Sequence, residues 1–292
     1  MQRRFLPVAL GFVLTVALSA PVLVPATSAA TSPAQVTSAP LTASTSAKPK
    51  PDPRKDGFKV RITTFNILTS SIAAGGVNRA HRAARWVQKQ GAIASAFQEV
   101  AKDQLLELQR IMPGFNFWPK RTLGTRGSAI QIAWKKSDLK LVKTGYVMRP
   151  FLGHSRPIPW VRLQHRKTGR NFLLMAIHNA PGGQERDRDI STRKEIDQIK
   201  HMVKTLYPVF VIGDMNERSE FCDKVAHETP LISMNQGTNR QPCPVPRYGG
   251  PDWMLGNAAR FSDFKKDYNG ISDHPALTAL ATVPPKKGGH AA

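Results

Sequence analysis

Asp273 and His274 sit in GISDHPAL, residues 270–277, a polar interruption in a stretch that is otherwise small and apolar. Alone, an aspartate beside a histidine is most often surface chemistry or a locally satisfied imidazole. The pair gains meaning from five other places where polar residues bound an apolar run. FKVRITTFN ends on Asn66, AIASAFQE on Gln98 and Glu99, NFLLMAIHN on His178 and Asn179, and PVFVIGDMN on Asp214 and Asn216, while DWML begins on Asp252. Such runs read as buried strands, and their polar ends lie at a rim where loops collect and sites form. Glu99, Asp214 and Asp273 supply hard anionic oxygens, Asn66 and Asn216 supply amides, and no cysteine joins them. That donor set suits Mg2+, with Mn2+ or Ca2+ as alternatives, better than zinc. Two histidines, His178 and His274, add acid–base capacity near neutral pH. Together these groups suit hydrolysis of a phosphate ester: the ion neutralises the phosphate while a histidine helps take the proton of the attacking water.

The elements that must hold these residues alternate in type. FKVRITTFNIL and AIASAFQEV read as strands around the basic amphipathic helix VNRAHRAARWVQKQ, and DQLLELQRIMPG is a short helix ended by Pro-Gly. Strand-like runs follow: FNFWPK, SAIQIAWKK, LKLVKTGYVM, PWVRLQH and NFLLMAIHNA, the last two joined by a KTGR turn. RDRDISTRKEIDQIKHMVKTL is a helix with apolar Ile190, Ile196, Ile199 and Val203, and PVFVIGDMN, DWMLGN and PALTALATV complete the set. Many strands with few helices predict an α/β (α+β) arrangement of sheets packed on each other with helices outside.

The ends of the chain read differently. MQRRF, the apolar LPVALGFVLTVALSA and the small residues after it have the anatomy of a secretory signal peptide over 1–30, cut near Ala29 or Ala30. A retained anchor is the alternative. No other long apolar run occurs, so no stable membrane insertion is expected once the leader is gone. Residues 31–56, rich in Ser, Thr, Ala and Pro, have little to bury and read as a disordered linker. The domain is expected over 57–284, as a monomer, with a basic tail at 285–292. A secreted location, with loose attachment to a cell wall as a variant, follows from the leader. Cys222 and Cys243 are the only cysteines, and in an exported chain an even pair predicts a disulfide, two free thiols being the alternative.

Formal charge is +22, and losing Arg3 and Arg4 with the leader leaves +20. A field of that sign draws polyanions: nucleic acid, anionic lipid headgroups or acidic wall polymers. The basic residues are spread along the chain without a helix-turn-helix or RNA-binding signature, so charge alone does not choose among them.

Taken in order, TFN, QEV, IHNAP, GDMN, DWML and SDHPAL resemble the motifs of the endonuclease/exonuclease/phosphatase superfamily. That group includes DNase I-like nucleases, abasic-site endonucleases, sphingomyelinases and inositol-polyphosphate phosphatases. GD-x-N and SDH say little singly, but the ordered set spans Phe58 to about Val283. The resemblance implies a four-layer α/β sandwich, two mostly antiparallel β-sheets face to face flanked by helices, and metal-dependent hydrolysis. It implies that Glu99 binds the metal, helped by Asn66 and Asp273. His274 would contact the scissile phosphate as the acid–base histidine, oriented by Asp252. Asp214 and Asn216 would position the attacking water and a phosphate oxygen. His178 would stabilise the transition state with Asn179 beside it, and Arg156 in SRPIPWV resembles a phosphate-binding arginine found before a strand. The cysteine pair falls where DNase I-like proteins often carry a disulfide. Two positions depart from the pattern. Leu68 stands where abasic-site enzymes have aspartate, and Arg126-Gly127-Ser128 where DNase I-like enzymes have Tyr-x-Glu, so the glutamate that would support His178 is missing.

The resulting expectation is a secreted nuclease that cleaves phosphodiester bonds of DNA or RNA. The alternatives are a sphingomyelinase-like lipid phosphodiesterase, a phosphatase of small or inositol-type esters, and a non-catalytic polyanion binder. The lipid alternative needs an exposed aromatic hairpin, for which FNFWP at 115–119 is the one aromatic cluster on offer.

Overall fold

A computed structural model describes residues 57–235, 243 and 250–285 of the chain. The expected leader, the linker to residue 56 and residues 286–292 of the expected tail lie outside the described residues. In chain order the elements are β1 (Phe58–Asn66), α1 (Gly76–Lys89), β2 (Ala94–Gln98), α2 (Lys102–Ile111), β3 (Phe115–Trp118), α3 (Thr125–Ser128), β4 (Ile130–Lys135), β5 (Leu139–Phe151) and β6 (His154–His165). They continue with β7 (Asn171–His178), α4 (Glu185–Val203), β8 (Val209–Asp214), α5 (Ser219–Glu228), β9 (Ile232–Ser233), β10 (Asp252–Gly256), β11 (Arg260–Asp267) and β12 (Ala276–Val283).

The strands form two six-stranded sheets, ordered β11-β12-β1-β2-β4-β3 and β5-β6-β7-β8-β10-β9. Among the described residues, only β1–β2 and β7–β8 pair in parallel, each joined by a crossover helix, α1 or α4. The expected four layers are present, and period-2 alternation builds them. On β7, Phe172, Leu174 and Ala176 face the core between the sheets, where they meet Val60, Ile62, Ile132 and Ile212. Leu173, Met175 and Ile177 face the other way, against Ile196, Ile199 and Met202 of α4. On the far side of the first sheet, Phe65 and Phe97 pack on Ala80, Ala83, Val87 and Leu108 of α1 and α2.

Several elements differ from the sequence reading. Helix α5 and strand β11 were not anticipated. In α5 only Phe221, Cys222 and Val225 are buried, and β11 is mostly exposed with a register break between Ser262 and Lys265, so neither carries a clean period. Strand β6 starts at His154, which puts Arg156 inside a strand and not before one. Ile190, read as part of the apolar face of α4, is exposed. FNFWP, by contrast, is the core strand that its strand-like pattern predicts: Phe115 and Phe117 are buried beneath α2, and it offers no aromatic hairpin.

Cys222 and Cys243 form the expected disulfide, their Cα atoms 5.9 Å apart. Closing that loop stabilises the domain by about 3 kcal/mol on loop-closure entropy. Gly213, one residue before Asp214, has φ 148°, and a Cβ there would collide with the Ile177 carbonyl of the neighbouring strand. The close approach of β8 to β7 therefore requires glycine at the point where both strands deliver their polar ends. Gly213→Ala is expected to lower unfolding free energy by about 1–3 kcal/mol, the usual cost of forced overpacking; urea denaturation measures it, and an unchanged midpoint would show that the two strands can part without cost.

Candidate active site

The two parallel pairs run toward the same end of the sandwich. Asn66 closes β1 opposite Gln98 of β2, with Glu99 next, and His178 closes β7 opposite Asp214 of β8. β10 runs antiparallel to β8 and so begins there, with Asp252 paired to Asp214. β12 runs antiparallel to β1, which brings the loop carrying Asp273 and His274 to the same rim. Six separate polar endings in the sequence thus become one cluster.

Its geometry is a chain of contacts. Asn66 Nδ2 donates to Glu99 Oε1 and to Asp214 Oδ2, both at 3.0 Å. His274 Nε2 lies 3.6 Å from the same Asp214 oxygen. His274 Nδ1 meets both oxygens of Asp252, at 3.0 and 3.2 Å. The Asn216 backbone N–H donates to Asp214 Oδ1 at 3.0 Å, and its side-chain amide donates to the Asn179 carbonyl at 2.8 Å. His178 Nε2 stands 3.8 Å from Glu99 and 3.7 Å from Asp214. Glu99 and Asn216 both hold left-handed backbone, φ 58° and 51°, a conformation that non-glycine residues keep only where the surroundings impose it.

Environment separates the titratable groups. Burial and the neighbouring Asp252 charge push the Asp214 carboxyl up to about 7, against the pull of His274 and Asn66. Burial alone would lower His274, but the hydrogen bond and charge of Asp252, with Asp214 and Asp273 behind, outweigh it and raise the imidazole to about 9. His178 moves the other way: burial, then Arg149, Arg156 and His274, hold it well below the usual histidine range. One histidine is therefore an imidazolium at neutral pH and the other a neutral ring. Among the described residues, neither nitrogen of His178 has a hydrogen-bond partner, as the missing glutamate led us to expect.

The donors fit a hard divalent cation. Glu99 offers a half-buried carboxylate at the cleft, and Asp214, Asp252 and His274 place ligand atoms within 4.8 Å of one another. Asn66, expected as a ligand, turns its amide nitrogen toward the carboxylates while its oxygen accepts from the Leu68 N–H. As placed, it aligns Glu99 and Asp214. Asp273, the other expected helper, is exposed and accepts from Ser272 Oγ.

Beside the cluster opens a cleft of about 720 Å³, lined by Glu99, His178, Phe151, Arg121, Arg126 and Arg156. Arg156 sits over the Phe151 ring, 3.7 Å from its centroid, and the same ring edges His178 at 5.4 Å. The Arg126-Gly127-Ser128 departure forms α3 on the wall of this cleft. Asn179, expected to assist at the phosphate, is fully buried, and its amide donates to Glu195 Oε2 at 3.2 Å. No surface of its side chain is open to a substrate.

No family model matches this sequence, and no curated protein does either. Solved structures do. An endonuclease/exonuclease/phosphatase family protein from Bacteroides thetaiotaomicron superposes with a TM-score of 0.64 at 15% identity, covering 78% of this chain and 99% of its own. The fold is that of endonuclease/exonuclease/phosphatase proteins. The human Nocturnin catalytic domain shares this fold at TM-score 0.62 and 15% identity, over 80% of this chain and all of its own. Truncated TDP2 from Caenorhabditis elegans gives 0.62 and 16%, over 77% and 97%.

Two groups beside this site escaped the sequence reading. Arg149 is fully buried on β5, paired across the ladder with Arg156 and over the Phe151 ring; burial lowers its pKa to about 9. Glu195 is fully buried on α4, and burial raises it to about 7 against the pull of Arg149 and Asn179. A signal existed for both. Arg149 shares the alternation of Val147 and Phe151, and Glu195 lies four and seven residues before the buried Ile199 and Met202, so each occupies a position where its element needs a buried residue.

Because the Glu195 pKa is higher folded than unfolded, its contribution to stability is fully present below about 4.5 and is lost as pH rises through about 7. Between about pH 4.5 and about pH 8 the native protein should lose about 3 kcal/mol more stability than Glu195→Gln. Urea unfolding at both pH values measures the difference. Parallel losses in the two proteins would mean that Glu195 ionises without hindrance.

Proposed function

We propose that this chain is a divalent-metal-dependent phosphodiesterase acting on nucleic acid outside the cell. The observation that carries the reading is the run of contacts Asp252–His274–Asp214–Asn66–Glu99 at the shared end of both sheets, beside an arginine-lined cleft. A bound Mg2+ or similar ion would neutralise the phosphate and the charge growing on it, held by Glu99 and the neighbouring carboxylates. The residues of the chain do the rest. Asp214, raised by burial and by the Asp252 charge and with an oxygen steadied by the Asn216 N–H, takes the proton of the attacking water. The water oxygen bonds to phosphorus as the ester oxygen leaves. His274, already protonated, gives its Nε2 proton to that leaving oxygen, while Asp252 holds its Nδ1 side. This revises the expectation that a histidine takes the water's proton. Neutral His178 and Arg156 face the phosphate from the cleft wall.

Nucleic acid is favoured by the net charge of +20 left after the leader (22 − 2) and by Lys102, Arg121, Arg126 and Arg156 along one cleft; each phosphate that a cation neutralises releases counterions and strengthens binding. Burial of the FNFWP strand weighs against a lipid substrate that needs an exposed aromatic hairpin there. The disulfide and the apolar, charge-headed N-terminal sequence support export.

Incubating the oxidised, leaderless protein with supercoiled plasmid, with Mg2+ or with EDTA, tests this reading. Nicking should require Mg2+, and His274→Ala should slow it by about a hundredfold or more. Glu99→Gln should weaken activity and Mg2+ dependence together. Intact plasmid with phosphocholine released from sphingomyelin vesicles would transfer the site to lipid, and full activity of His274→Ala would remove that residue from the mechanism.

A further inference from the structure

The cleft accounts for cations on one side of the centre and leaves another set without a role. Tyr268 is 73% exposed. It stands at the head of the segment that leads from β11 to β12 and carries Asp273 and His274. Lys266 Nζ lies over its ring, 4.9 Å from the centroid. Helix α1 packs beside the same segment: Arg82 Nη1 donates to the Gly270 carbonyl at 3.4 Å and Trp86 Nε1 to Asp267 Oδ2 at 2.6 Å.

Helix α1, GVNRAHRAARWVQK, contains no acidic residue. Its stripe of Ala80, Ala83, Ala84 and Val87 is buried, which leaves Arg82, Arg85 and Lys89 on the outer face. Spacings of three and four residues set them in one line, about 10 Å long at 1.5 Å per residue. Arg79 is occupied otherwise, donating to the carbonyls of Ile67, Leu68, Ala73 and Ala74. Neither Arg85 nor Lys89 forms an ion pair with a described residue. An ordinary solvated helix face mixes charges. A cationic line of one sign, on a helix that hydrogen-bonds the segment headed by an exposed aromatic ring, beside the proposed phosphodiesterase centre, has the composition of a surface for single-stranded nucleic acid, where cations track the backbone and rings stack on bases.

We propose that Tyr268, Arg82, Arg85 and Lys89 bind the single-stranded flank of the substrate, Tyr268 stacking on a base while α1 follows the phosphates beyond it. This rests on the nuclease reading and goes further, because it assigns the substrate a strand long enough to leave the centre along α1.

Fluorescence anisotropy of a labelled single-stranded oligonucleotide in EDTA, across a range of salt concentrations, tests it without cleavage. Tyr268→Ala should weaken binding about tenfold with little change in salt dependence. Arg85→Ala/Lys89→Ala should flatten the slope of log K against log salt by about 1.4, or about 0.7 for each lost phosphate contact. Both variants should hydrolyse bis(p-nitrophenyl) phosphate at the wild-type rate, since the touched residues lie outside the reacting centre. Wild-type affinity and slope in both variants, with plasmid nicking retained, would overturn the surface and leave the nuclease reading standing. A wild-type protein that neither binds the oligonucleotide nor nicks plasmid would overturn both.

Discussion

One side-chain amide joins the two halves of this molecule. Asn66 comes from the first sheet and reaches Glu99 of its own sheet and Asp214 of the other, at equal distances. The separation of the sheets is set by Phe172, Leu174, Ile62, Ile132 and their neighbours in the shared core. Packing at the density of protein interiors leaves that separation little freedom. The distance between the carboxylates is therefore a property of the whole core, and the polar cluster depends on apolar residues far from it.

Within the cluster, neighbouring groups are driven in opposite directions by the same few charges. Asp252 raises both Asp214 and His274, one by repelling a second carboxylate and the other by stabilising an imidazolium. Arg149, buried on β5, helps keep His178 neutral. The result is a carboxyl raised toward neutrality, an imidazolium and an uncharged ring within a few ångströms, the separation of charge states on which the proposed phosphodiester hydrolysis draws.

The sequence made the centre legible because six strand boundaries are local facts: an apolar run bounded by Asn, Glu, His or Asp can be read without knowing the fold. The four-layer plan was legible through the ordered motifs and through the alternation on β1, β2, β7 and β8. Side-chain direction was harder to read. Asn66 and Asn179 were both placed at the rim correctly by sequence, yet one aims its nitrogen at two carboxylates and the other turns inward to Glu195. Whether a rim residue faces substrate or core depends on contacts from distant segments. Helix α5 and strand β11 were missed because short, largely exposed elements carry too few buried positions to establish a period. Arg149 and Glu195 were missed because charge normally argues for solvent, and only their register argues otherwise.

Each parallel pair and its crossover helix forms a unit that ends in part of the cluster: β1-α1-β2 carries Asn66 and Glu99, and β7-α4-β8 carries His178 and Asp214. Neither unit holds the whole polar cluster: Asp252 and His274 come from β10 and from the loop before β12. Any state in which the sheets are apart, a nascent or unfolded chain included, therefore has two incomplete halves. On the nuclease reading proposed above, latency would be built into the topology, since a chain not yet folded would lack the assembled centre without needing an inhibitor.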